Sequence, residues 1–375
     1  MKKISISYKV FFLILTSLVF LFSLIFISDY VNADGYVHIN QRICQAQQNY
    51  NTFQYTYTYY KLFIFLSDLF SIDACNFFKN NYFASDFYDR FSFNELNYFN
   101  TGFRINYPKL IISLSFFFLL LILIILINHR FIDDLVVLTS PTIFFGLMSI
   151  STDSMVIFFT FFFYLIYKKV NTSSSYLILI PGYFFTDRSY IVTILYPILE
   201  KLYLKIQKLF KLNPYIFFIL TIICTFTLAK IIILLSPYYP QLLKLIFPPS
   251  INTDIANTIN KGNFPIFGFF ISLFSTPNLV LVNIFQILFF LYLFFKQKLF
   301  KKLKSESLFV CAIIFIFFST LIGGISMSRH YIIVVLVFLY FLLENCNLFQ
   351  RKIIFLINIF YNLFALIYYF NKGLL

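Results

Sequence analysis

A chain of 375 residues that is 60% hydrophobic and only 12% charged, with a mean hydropathy of +0.84, has too few polar residues to clothe a water-soluble domain. The apolar runs are continuous and do not alternate, which excludes a β-barrel and predicts an all-α, polytopic integral membrane protein. The formal charge of +14 follows membrane topology and predicts no nucleic-acid partner, because the cations cluster in the short connections between apolar runs.

The first run, 10–28, follows "MKKISISYK". It also has the form of a signal peptide with "VNA" (31–33) at the cleavage site, but its length and the many later spans favour retention. Residues 29–108 form a large external loop in which 59–70, too short to span, lies on the membrane surface. Cys44 and Cys75 share this loop, and an external redox environment permits a bridge between them; two unpaired thiols are the alternative.

Spans at 110–127, 135–150 and 155–167 come next, the last two joined outside by "STDS" (151–154). Asp133 and Asp134 fall on a tight cytoplasmic turn, where they are expected to be solvated. Residues 176–199 read as a re-entrant hairpin with "TDRSY" (186–190) at its tip, and 200–212 as an amphipathic helix on the cytoplasmic surface. Residues 214–235 cross outward, 236–278 form a second external region, and 279–295, 307–322, 331–343 and 353–370 complete the chain.

The expectation is therefore about nine spans plus the hairpin, in a single membrane domain covering 1–375. Placing the N-terminus in the cytoplasm puts 17 of the 29 Lys and Arg residues inside and 11 on much longer outside loops, with Lys230 within a span. This topology brings Asp34, His38, Asp153, Asp187, Arg188, Arg329 and His330 to the external rim. Each has a plainer reading: Asp153 and Asp187 as helix N-caps, Arg329 and His330 as interfacial anchors, and Asp34 in an ordinary Asp-Gly turn. No phosphate-binding glycine loop, zinc spacing or nucleophile elbow is present, and with three His in all no metal site is indicated.

Three stretches together resemble the GT-C class of membrane glycosyltransferases. "NADGYVHIN" (32–40) resembles the acidic motif of their first external loop. "SPTIFFGLMSISTDSMVIFFTFFFYL" (140–165) is similar to their span pair joined by a polar Asp turn, and "SMSRHYIIVVLVFLYFL" (326–342) to the Arg-Tyr segment before a late helix. The resemblance implies transfer of a sugar from a polyprenyl-phosphate carrier to a glycan, lipid or protein acceptor on the outer face of the cytoplasmic membrane. Asp34 and Asp153 would be catalytic, and Arg329, His330, Asp187, Arg188 and His38 would bind substrate. The chain departs from the pattern in carrying Gly35 beside Asp34, which puts a divalent metal cofactor in doubt, and in inserting His330 between Arg329 and Tyr331. An O-antigen-type polymerase, which shares the layout and the lipid-linked chemistry, is the alternative reading, although the arginine-rich external loop of that group is not seen here. A lipid-linked sugar flippase or transporter would instead hold its charges at mid-membrane.

Overall fold

The computed structural model describes residues 2–26, 43–48, 64–65, 68–69, 71–73, 75–76, 107–127, 130–148, 152–170, 173–186, 190–210, 213–235, 238, 288, 291–292, 295, 306–321 and 331–374. Among them the chain is almost wholly helical and has no strand, as an apolar sequence without period-two alternation requires. It divides into two compact units, Met1–Asp187 with Leu348–Leu375, and Arg188–Asn347.

The first unit contains α1 (Lys2–Phe26), the short α2 (Cys44–Gln48), α3 (Tyr107–Ile127), α4 (Phe131–Leu138), α5 (Pro141–Leu147) and α6 (Thr152–Leu165). A π turn (Ile166–Val170) and a 3-10 turn (Ser173–Ile178) then lead into α7 (Leu179–Phe185), and the C-terminal α12 (Leu348–Leu374) closes the unit. Its interior is aromatic. Phe20 stacks on Phe117 with ring centroids 3.9 Å apart and meets Phe144 edge-on at 5.2 Å, while Phe116 stacks on Phe158 at 5.1 Å. These rings join α1, α3, α5 and α6 at one level, in the stacked and edge-to-face geometries that aromatic quadrupoles favour. Where α5 meets α6, Gly146 lies directly against Cδ1 of the buried Ile157, so a Cβ there would require that terminal methyl to move.

The span expected at 135–150 is instead two short helices, α4 and α5. Pro141 has no N–H to continue the α4 ladder, and Ser140 before it is extended (φ −62°, ψ 141°). At the break the Leu135 and Val137 carbonyls keep backbone donors, the N–H groups of Thr139 and Ser140, whereas side chains reach those of Val136 and Thr139. Ser140 donates to the Val137 oxygen at 2.6 Å, and Thr139 donates to those of Leu135 at 2.7 Å and Val136 at 3.2 Å. From α12, Asn358 Nδ2 reaches the Val136 oxygen at 3.0 Å and Asn362 Nδ2 the Thr139 oxygen at 3.0 Å. A buried helix end requires such partners.

The second unit contains α8 (Ile191–Phe210), α9 (Pro214–Leu235), α10 (Glu306–Leu321) and α11 (Ile332–Glu344). Helix α8 also departs from expectation: the second limb of the hairpin and the amphipathic helix are one continuous element with Pro197 inside it. It buries Tyr196, Glu200 and Tyr203 and exposes Lys201, Lys205 and Lys208. Tyr203 packs on Phe309 of α10 at 4.6 Å, and Phe218 of α9 meets the same ring at 4.7 Å.

Among the described residues, two segments are long and apolar enough to cross a membrane, Ile216–Leu235 and Leu348–Tyr368. The former, with mean hydropathy 2.6, has only 6% of its residues buried. It is not a core helix, and so large an exposed apolar surface matches a lipid environment better than water. The other apolar helices, Tyr8–Leu24, Ile112–Ile127, Ser307–Thr320 and Ile332–Glu344, are shorter.

Candidate functional site

Of the site residues expected from sequence, only Asp153 falls in a described element, as the second residue of α6. Asp34, His38, Asp187, Arg188, Arg329 and His330 lie outside the described residues. The elements flanking them are nevertheless defined. Asp34 follows the end of α1 by eight residues, Asp187 follows Thr186 at the end of α7, and Arg329–His330 immediately precede the buried Tyr331 that caps α11.

The described part of the first loop is organised around the disulfide between Cys44 and Cys75, whose Cα atoms are 4.8 Å apart. Gln47, one turn into α2, accepts from the Cys75 backbone N–H at 3.0 Å through Oε1 and donates to Asp73 Oδ1 at 3.3 Å through Nε2. Asp73 accepts from the Asn76 backbone N–H at 3.1 Å and from Asn76 Nδ2 at 2.8 Å. The backbone N–H contact, first among these, holds the Asp73 carboxyl below the usual carboxylate range.

One concentration of charge differs from the sequence expectation. Asp133 and Asp134, expected to be solvated on a turn, are fully buried in the first turn of α4. Asp133 accepts from Arg130 Nε at 2.7 Å and from Arg351 Nη1 of α12 at 3.2 Å, and Asp134 is ion-paired with Lys169 of the π turn. A buried carboxylate needs cationic partners to offset its desolvation, and these come from three separate segments. Two of them lie far from the carboxylates in sequence: Arg351 is 218 residues beyond Asp133, a separation that no local pattern reveals. The available signal is the pair Lys168 and Lys169 after an apolar stretch, which topology alone also explains.

Contacts around the cluster orient the whole unit. Lys352 Nζ lies 4.5 Å from the centre of the Tyr8 ring, Lys9 Nζ lies 5.2 Å from that of Phe131, and Phe12 packs on Phe355 at 4.7 Å. Helices α1, α4 and α12 therefore start together at one end, where the π turn after α6 also arrives. The last described residues of α1 and the first turn of α6, with Asp153, lie away from that end. Tyr167 meets Tyr176 at 5.8 Å and Phe159 meets Phe185 at 6.5 Å, so the 3-10 turn and α7 run back along α6 for about half its length.

In the second unit the buried Glu200 accepts from Ser307 Oγ at 2.9 Å and from Tyr196 OH at 3.3 Å. This ties α8 to the start of α10 and is a polar clamp rather than an exposed acid.

No protein-family model, curated protein or solved structure matches this chain.

Proposed function

We propose that the chain is a polytopic glycosyltransferase of the cytoplasmic membrane that moves a sugar from a polyprenyl-phosphate carrier to an acceptor on the outer face. The observation that carries the reading is the polarity of the first unit. Lys9, Arg130, Lys169, Arg351 and Lys352 lie at the end where α1, α4 and α12 start, whereas the last described turn of α1 and the start of α6 with Asp153 lie away from it. Lipid and water separate charge in this way when cations mark the cytoplasmic side and polar chemistry occupies the other.

The transfer needs a base for the acceptor hydroxyl and cations for the departing lipid phosphate. Asp34 takes the proton, with His38 orienting it and Asp153 as the second acid. Arg329 and Arg188 contact the phosphate through the planar fork that suits its oxygens, and His330 and Asp187 are further substrate-binding residues. The test is mass analysis of lipid-linked glycans from cells carrying the parent or the Asp34→Asn chain at equal abundance. The variant should accumulate unconsumed donor; the same glycan profile in both would remove Asp34 from the chemistry.

A further inference from the structure

We infer that the cation end of the first unit is a binding site for the headgroup of an anionic phospholipid, with the acyl chains lying along α1 and α12. This rests on the membrane reading but not on sugar transfer, so either proposal stands if the other fails.

Two independent features point there. The first is charge. Among the described residues, Lys9, Arg130, Lys169, Arg351 and Lys352 lie around Asp133 and Asp134, and Lys168 precedes Lys169 in the π turn. The carboxylates are fully buried and spent on holding Arg130, Arg351 and Lys169 in place, so they do not face an incoming ligand. Arg130 and Arg351 keep 22% and 24% of their side chains exposed, and Lys9, Lys168 and Lys352 are half-buried. The described surface of this end therefore presents Lys9, Arg130, Lys168, Arg351 and Lys352.

The second feature is an apolar track beginning at the same place. Phe11, Ile14, Leu18 and Phe22 are exposed in a stripe along α1, and Leu356, Phe360, Phe364 and Ile367 along α12, each at the three- to four-residue spacing of one helix face. A cationic head joined to a long apolar surface matches a phosphodiester carrying acyl chains; a soluble phosphate uses only the first half of it.

The experiment measures binding of tail-fluorescent phosphatidylglycerol to the purified full chain in phosphatidylcholine nanodiscs. A lysine charge beside an anionic headgroup contributes roughly a fivefold factor, so Lys9→Gln with Lys352→Gln should weaken binding roughly thirtyfold. Lys9→Arg with Lys352→Arg should retain it, which separates loss of charge from loss of fold. Lys201→Gln with Lys205→Gln removes equal charge from the exposed face of α8 and should leave binding at the parent level. Equal binding of fluorescent phosphatidylcholine, an equal loss in the α8 variant, or displacement by dissolved glycerol phosphate would each overturn the site.

Discussion

At the scale of single residues, burial decides what a charge is for. Asp133 holds two guanidinium groups on one carboxylate with no exposed surface, and removing its charge leaves Arg130 and Arg351 facing each other without it. Asp133→Asn is therefore expected to cost about 3 kcal/mol, seen as a lower unfolding midpoint of the detergent-purified protein; an unchanged midpoint refutes the clamp. Asp34 makes the opposite prediction. Asp34→Asn preserves volume and turn propensity, so abundance should hold while sugar transfer in isolated membranes falls at least ~10²-fold. Arg329→Lys should lose much of that activity and Arg329→Ala nearly all, because charge alone does not replace the fork. Near-parental turnover in the Ala variant would take Arg329 out of phosphate binding.

At the scale of elements, the interrupted α4–α5 pair depends on its side-chain partners. Asn358→Leu withdraws the α12 donor from the Val136 carbonyl and is expected to destabilise by about 1–3 kcal/mol, read as a shift in denaturant midpoint; Lys208→Ala, on the exposed face of α8, should not move it. The loop disulfide acts on the unfolded chain. Closing the 31-residue separation stabilises by about 3–4 kcal/mol in the chain-entropy model. Thiol labelling of the denatured protein should rise by two groups on reduction, and a Cys44→Ser chain should gain none. Equal gains in both chains would contradict the pairing.

At the scale of the whole molecule, the convergence of Lys9, Arg130, Lys168 and Arg351 turns a statistical charge bias into a geometric one. A membrane-impermeant reagent should label Lys9→Cys and Lys168→Cys from the same side, and that side should be the cytoplasmic one. Labelling from opposite sides would undo both the topology and the assignment of an outer active face.

The all-α class was legible from composition and the continuity of the apolar runs, because a helix satisfies its own backbone and needs no information from distant residues. Helix positions followed for the same reason: the runs at 110–127, 214–235 and 331–343 differ little from α3, α9 and α11. The catalytic assignments rest on local motifs, and their residues lie outside the described structure or, for Asp153, at a helix start that its flanking polar turn already marked. What local pattern could not supply was partnership. Asp133 reads locally as a turn residue because it lies in the short break between the apolar runs 110–127 and 135–150, and it is buried because Arg351 arrives from 218 positions away. Pro141 falls inside a run that reads locally as one span, 135–150, and only the packing of α12 shows that Asn358 and Asn362 satisfy carbonyls around the break. Buried charges and broken helices are tolerated by the groups brought against them in space, and that pairing exists only once the helices are packed.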